Sequence, residues 1–254
     1  MKATYSKTII LAAFFALSCG SVGQANEGAE HKPSGWDLDK ATQSNDHHAL
    51  VHPFLTHMGM PDSPGELSAR MMSVDQRSDG ATSGTYGFHL ETGISDKLGL
   101  HLRNDAVKFN NNTELMLQYA VLKSDSGLSG ISFIGEVEFP TGPTTKTTKG
   151  GVGISFAYIL PPVLAINSVI HYVPRDQEAE WEISFVSKLT EKIFPVLEAS
   201  GELMKDGESI VNALAGLKFK IPNGHSLGLG YQVGTTATRD YDSRLLLQVE
   251  LNFH

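Results

Sequence analysis

Residues 244–253 read RLLLQVELNF, and every second side chain from Leu245 to Phe253 is apolar. The side chains between them are polar apart from Leu246. Alternation with a period of two is typical of a β-strand with one apolar and one polar face. A run of about ten such residues is also long enough to cross a lipid bilayer at the tilt that barrel strands adopt.

The same alternation recurs from Pro64 to the end of the chain. We count about twelve runs of about ten residues, separated by turn residues. They predict an all-β fold, an antiparallel transmembrane β-barrel of about 12 strands with an irregular N-terminal segment. A secreted β-sandwich alternates in the same way. Charged side chains in the middle of nearly every run argue against it, because that polar side could not form a dry core.

The connections between the runs predict an orientation. If the first strand rises from the periplasm, the turns after strands two, six, eight and ten are short. The opposite side includes the longer polar connections 75–83, 141–149, 174–179 and 235–242. Short periplasmic turns and longer outer loops are typical of outer-membrane barrels.

The N-terminus predicts export. Lys2 and Lys7 precede an apolar run over residues 8–17. This arrangement is typical of a secretory signal peptide. Small residues in Gly23-Gln24-Ala25 predict cleavage there, giving a signal peptide over 1–25, an irregular segment over 26–63 and a barrel over 64–254. The alternative is Ala16-Leu17-Ser18-Cys19, which resembles a bacterial lipobox and would place a lipid on Cys19, the only cysteine.

The polar face of the strands predicts the lining of a lumen. Nine candidate residues that set charge selectivity lie on it, namely Glu91, Arg103, Glu114, Glu136, Glu138, Glu182, Glu198, Glu202 and Glu250. An acidic lining attracts cations. The alternative is that these groups pack as internal ion pairs in a narrow barrel that conducts little. The net charge of −8 argues against nucleic acid as a partner.

A second candidate site lies in the irregular segment. The candidate ligands are His47, His48, His52, His57, Met58 and Met60. Imidazole suits Zn, Cu and Ni, and thioether suits reduced copper, so the pattern predicts capture of a transition-metal ion. The alternative is a solvated, His-rich leader that crosses the periplasmic mouth of the barrel. Motifs of hydrolases, metalloproteases and phosphate-binding loops are absent from the sequence, which predicts that the protein is not an enzyme.

From Pro64 to His254 the chain resembles the outer-membrane β-barrels of Gram-negative bacteria. The resemblance implies a lipid environment and insertion by the barrel assembly machinery, which reads a terminal aromatic residue; here Phe253 is followed by His254. The motif HPFLTHMGMPD at 52–62 resembles uncharacterised transporter barrels encoded near heavy-metal efflux systems. The sequence leaves two functions as hypotheses. One is a channel for small solutes or metal ions with an acidic lumen, and the other is a non-conducting barrel with a binding or structural role, whose histidine- and methionine-containing leader captures metal ions.

Overall fold

The computed structural model describes residues 52–105, 107, 112–124, 128–141, 147–160 and 164–253. The signal peptide, both candidate processing sites including Cys19, His47 and His48 lie outside these residues, as does His254. Within the described part of the chain, no helix is long and apolar enough to span a membrane.

The described residues form twelve strands that close into one barrel. The strands are β1 (Leu67–Ser78), β2 (Ala81–Ser95), β3 (Leu98–Asn104), β4 (Asn112–Lys123), β5 (Gly130–Pro140), β6 (Lys149–Leu160), β7 (Leu164–Val173), β8 (Glu178–Ser187), β9 (Ile193–Leu203), β10 (Ser209–Lys220), β11 (Ser226–Gly234) and β12 (Ser243–Phe253). Each pairs antiparallel with its sequence neighbour, and β1 pairs with β12 from Leu67↔Phe253 to Arg77↔Ser243. The predicted fold is confirmed. We call the end holding Leu67 and Phe253 the base and the opposite end the rim.

The two faces of the strands separate as the alternation predicts. Outward side chains are large and apolar, with Tyr86 58 % exposed and Leu247 53 % exposed. Inward side chains such as His89 and Gln118 are buried although polar. A continuous apolar outer surface around a polar interior is typical of a barrel that stands in lipid.

The connections at the two ends differ in length less than the sequence predicts. The prediction of a long connection over residues 75–83 is wrong. Strands β1 and β2 continue through most of this range and leave only Asp79-Gly80 as the turn. Both turn residues have positive φ, 51° and 79°. That geometry is the two-residue hairpin turn favoured by Asp-Gly, and its twist matches the strands, so they extend to the turn itself.

The N-terminal segment enters the barrel. Residues 52–63 are neither helical nor strand-like, as predicted, but they are not the solvated leader of the alternative hypothesis. Phe54 is fully buried and His57 is 2 % exposed. We call residues 52–62 the plug loop, since they occupy the lumen between the strand walls.

Candidate functional site: a plugged lumen

The plug loop rises from the base toward the middle of the lumen and returns. His52 and Asp62 stand side by side at its two ends, with 3.4 Å between His52 Nε2 and Asp62 Oδ1. Leu55 and Thr56 form its apex and face the cavity on the rim side. After Asp62 the chain leaves at the base, where the Gly65 amide donates to the Gly93 carbonyl at 3.2 Å. The two ends of the plug loop therefore lie together on the base side of its apex.

Glu198 on β9 holds the ascending arm. Its carboxylate accepts from the backbone amides of Leu55 and Thr56, both at 3.0 Å, and from the Thr56 hydroxyl at 3.2 Å. The amide of Phe54 also donates to Oε1. Since three successive amides converge on one buried charge, Glu198 replaces the backbone pairing that an irregular segment lacks.

A charged network surrounds the apex. His57 lies between two carboxylates, with Nδ1 2.8 Å from Glu182 Oε2 and Nε2 2.8 Å from Glu114 Oε1. Arg103 bridges the same two acids at 3.0 and 3.3 Å. It also donates to the Leu55 carbonyl at 2.8 Å. The network ties the loop to β3, β4 and β8 at once.

The carboxylates around His57 favour the protonated form of its ring, although Arg103 Nη1 also lies 3.1 Å from Nδ1. Burial and then the nearby Arg103 charge lower the pKa of His57, but the carboxylates of Glu182 and Glu114 outweigh both and raise it to about 10. A protonated imidazole donates from both ring nitrogens, which matches its two carboxylate partners. The apex is thus held by charge-assisted hydrogen bonds.

The descending arm packs closely against β6 and β7. The Gly59 amide donates to Asn167 Oδ1 at 3.0 Å, and the Gly59 carbonyl accepts from Ser155 Oγ at 3.0 Å. A Cβ added at Gly59 would lie 2.2 Å from the backbone oxygen of Phe156. Only glycine permits this approach of one backbone to another.

Phe54 fills an apolar socket in the otherwise polar lumen. The cluster around it consists of Met72, Val74, Val186, Phe194, Val196, Leu214 and Leu246. Gly216 and Gly228 face the ring, and a Cβ at either position would lie 2.6 Å from it. Glycines on the inward face of β10 and β11 therefore make room for an aromatic ring from another part of the chain.

Ion pairs fix the start of the loop near the base. His52 Nδ1 lies 2.7 Å from Glu250 Oε1, and Lys218 Nζ lies 2.7 Å from Glu250 Oε2. Arg70 donates to the Pro53 carbonyl at 2.8 Å and pairs with Glu91. These buried charges are paired within the protein rather than with bulk water, as burial requires.

A cavity of about 300 Å³ lies on the rim side of the plug loop. Among the described residues that line it, the acidic side chains are Asp105, Glu114, Glu138, Glu178, Glu180, Glu182, Glu198, Glu202 and Asp240, and the basic ones are Arg103, Lys149 and Arg244. Leu55 and Thr56 form part of its floor. The cavity is a vestibule that ends at the plug loop.

The structure places all nine predicted lumen residues on the inward side of the wall, but in different surroundings. Those that line the vestibule are Arg103, Glu114, Glu138, Glu182, Glu198 and Glu202. Glu91 and Glu250 lie at the base beside Arg70 and Lys218. Glu136 lies 3.4 Å from His171. Several therefore form internal ion pairs, as the alternative hypothesis expects, while Glu202 faces the cavity. Their effect on selectivity stays a prediction.

The predicted metal ligands within the described residues do not gather around one point. His52 contacts Glu250 and Asp62, whereas both nitrogens of His57 contact Glu182 and Glu114. The sulfur of Met60 lies 3.5 Å from Ser132 on β5, and the Met58 carbonyl accepts from Gln118 at 2.9 Å. Capture of a metal by this set together with His47 and His48 stays a prediction.

Sequence reasoning missed the residues that seat the plug loop. Phe54 and Asp62 belong to the segment predicted to be irregular, and Asn167 and Ser155 are not among the candidate site residues. A signal was present, because residues 54–60 include Phe54, Leu55, Met58 and Met60 without strand or helix periodicity. Apolar residues in an irregular segment are typical of a chain that packs into a preformed socket rather than into water.

Comparison with known proteins supports the fold class. The chain matches no protein-family model and no curated protein sequence. The KdgM porin aligns with a TM-score of 0.57 at 9 % identity, over 74 % of this chain and 99 % of that one. The COG4313 outer membrane channel from Pseudomonas putida F1 gives 0.54 at 10 % identity, over 76 % and 97 %.

The NanC porin gives a TM-score of 0.53 at 11 % identity, over 74 % of this chain and 99 % of that one. At these identities the likeness concerns the fold. The protein has the β-barrel fold of outer-membrane porins and channels. That the protein is not an enzyme stays a prediction.

Proposed function

We propose that the protein is an exported outer-membrane channel for small solutes or cations, closed in this conformation by its plug loop. The observation that carries the proposal is the acidic vestibule above the plug loop, because a barrel with a purely structural role does not need a polar cavity on the rim side of its lumen. The apolar outer surface supports placement in lipid, and we expect the barrel assembly machinery to insert the chain. If β1 rises from the periplasm, as the sequence predicts, the base of the barrel faces the periplasm.

The lining of the vestibule supports a preference for cations. Nine acidic and three basic side chains line it, so most of the acids have no lysine or arginine among the vestibule residues to balance them. An entrance of one sign of charge raises the local concentration of the opposite sign. Small cations, including divalent metal ions, are therefore the preferred solutes of the proposal.

Conduction requires that the plug loop move. Its contacts with the wall are hydrogen bonds, ion pairs and the packing of Phe54, and none of them makes the loop a strand of the sheet. The loop can therefore withdraw toward the base without crossing the sheet. We expect the wild-type barrel to stay closed most of the time. A variant with a loosened plug loop, such as Gly59→Ala, is expected to open.

Planar-bilayer recording tests the proposal. We expect rare steps from the wild type and frequent potassium-selective steps from Gly59→Ala, with selectivity reduced by adding Glu138→Lys and Glu202→Lys in the vestibule. Gly135→Ala is the matched control, since a Cβ there meets no described atom within 4 Å. A folded Gly59→Ala barrel without conductance would refute the channel and favour a non-conducting barrel with a binding or structural role. Chloride selectivity would refute the charge preference.

A further inference from the structure

We propose that the base of the plug loop binds a divalent transition-metal ion of the zinc class. The ligands are His52 and Asp62 from the plug loop and Glu91 from β2, with His101 from β3 as the fourth. This site differs from the histidine and methionine set that the sequence predicts. It rests on the geometry of the plug loop and does not require that the barrel conduct.

Three of the four proposed ligands already lie close together. One nitrogen of His52 and one carboxylate oxygen from each of Asp62 and Glu91 lie within 4.8 Å of one another, and all three residues are buried. The His101 Nδ1 lies 3.6 Å from Glu91 Oε1, and His52 Nε2 lies 3.4 Å from Asp62 Oδ1. Tetrahedral zinc with bonds of about 2.0–2.2 Å holds its ligands about 3.3–3.6 Å apart. The His52–Asp62 separation lies in that range. The His101 separation is to the Glu91 oxygen that Arg70 holds, so it shows only that the His101 ring stands beside Glu91.

The same residues present buried polar atoms that nothing in the described protein satisfies. Asp62 Oδ2, Glu91 Oε2 and both ring nitrogens of His101 have no hydrogen-bond partner among the described residues. The three side chains belong to residues only 2–4 % exposed. An unsatisfied buried polar atom is costly, so several around one point indicate a missing partner. A single cation can bind Asp62 Oδ2, Glu91 Oε2 and one ring nitrogen of His101 at the same time, which would satisfy three of these four atoms.

The surroundings orient His52 for a metal. Its Nδ1 lies 2.7 Å from Glu250 Oε1, which leaves Nε2 directed toward Asp62. Lys218 at 2.7 Å and the Ser226 hydroxyl at 2.9 Å hold Glu250 in turn. A carboxylate that fixes the second nitrogen of a histidine ligand is the usual arrangement around protein-bound zinc.

The carboxylates around the site outnumber the lysine and arginine side chains that balance them, which favours a bound cation. Asp62, Glu91 and Glu250 supply three carboxylates, and Arg70 and Lys218 offset two of them. Arg70 pairs with Glu91 through Oε1, so Oε2 stays open to an ion. Two imidazoles and two carboxylates favour zinc or nickel over reduced copper, since no thioether joins the set. The bound ion would join the plug loop to β2 and β3 and hold it in the lumen.

Metal titration of the refolded full chain tests the site. After treatment with a chelator, Zn²⁺ is titrated by calorimetry, and Co²⁺ is added separately to record its visible absorption. We expect a single ion per chain with the intense absorption of tetrahedral Co²⁺. Asp62→Asn and His101→Gln are each expected to weaken zinc binding at least about tenfold. Electrophoretic mobility before and after heating checks that each variant has folded.

Two controls separate this site from others. His171→Gln removes a buried histidine on β7 that pairs with Glu180 at 2.9 Å, and it should leave zinc affinity unchanged. The double variant His47→Gln/His48→Gln should also leave it unchanged. Loss of zinc binding in the double variant, or retention in both Asp62→Asn and His101→Gln, would overturn the proposal. Neither result depends on conductance. The metal site can therefore be refuted while the proposed channel function is retained.

Discussion

At the scale of single residues, Glu198 is the main anchor of the plug loop. It accepts from consecutive backbone amides and from the Thr56 hydroxyl. The free energy resides in the negative charge and in two oxygens that both accept. An amide side chain of the same size keeps one acceptor and turns the other end into a donor that faces backbone N–H groups.

Glu198→Gln is therefore expected to weaken plug-loop docking by about 1–3 kcal/mol. Hydrogen exchange of the amides of residues 54–56, followed by mass spectrometry, should be faster to a corresponding degree. Glu202→Gln is the control, because it lies on the same strand and faces the vestibule without a described hydrogen bond to the plug loop. Equal exchange in the two variants would show that Glu198 is not the anchor.

Gly59 is the second decisive residue. Gly59→Ala would force a Cβ to within 2.2 Å of the Phe156 oxygen, so the descending arm must leave its place on β6 and β7. We expect faster exchange throughout residues 53–62 and a cost of about 1–3 kcal/mol, typical of an overpacked site. Gly135→Ala serves as the comparison. Unchanged exchange in Gly59→Ala would mean that the loop is not seated against β6.

At the scale of elements, the strands were predictable and the plug loop was not. The strands were found because every second side chain meets lipid or lumen, and this local alternation is written in runs such as residues 244–253. The plug loop has no repeating pattern. Its conformation comes from Glu198, Arg103 and Asn167, which lie far away in sequence, and the strand register that brings them together is not encoded locally.

The lumen residues illustrate the same division. Their inward direction followed from parity, which has a period of two and needs no register. Which acid pairs with which base depends on the strand register and on which strands face each other across the lumen. Arg103 of β3, for example, pairs with Glu114 of the neighbouring β4 and with Glu182 of the more distant β8. The sequence therefore predicted which residues line the lumen. It did not predict which of them form internal ion pairs and which face the vestibule.

The plug loop should also respond to pH. His57 lies on the loop and outside the membrane-spanning strands, with its pKa raised from 6.5 to about 10 by Glu182 and Glu114 against the opposing effects of burial and Arg103. The His171 ring also lies near it, at 6.5 Å between centroids. A raised pKa stabilises the docked state fully below pH 6.5, and the stabilisation is lost as pH rises through about 10.

Hydrogen exchange of the loop, corrected for the intrinsic effect of pH on exchange, should thus show less protection at pH 9.5 than at pH 6. His57→Gln keeps a polar side chain without a titrating charge and should remove this difference. Protection that falls equally in the variant would assign the pH effect to another group.

At the scale of the whole molecule, the wall and the plug loop are stabilised separately. The barrel is held by antiparallel pairing around the complete circle, including the register between β1 and β12. The plug loop adds no strand to that sheet. Removing its anchors should leave the wall closed.

Glu198→Gln and Gly59→Ala are accordingly expected to open the lumen without unfolding the barrel. Both should retain the heat-dependent shift in electrophoretic mobility of a folded barrel, with a midpoint of unfolding close to that of the wild type. A large drop in the midpoint of both, with Gly135→Ala unaffected, would show that the plug loop is part of the structural core.

The plug loop precedes β1 in the chain, but its partners come much later. Phe54 and its acceptor Glu198 are 144 residues apart, and His52 and Lys218 are 166 residues apart. The loop therefore has few of its partners while the sheet is incomplete, and its burial must be a late event in folding. Protection of its amides from hydrogen exchange would appear after β1 has paired with β12. Protection of the first described residues therefore indicates that the last strand has joined the sheet.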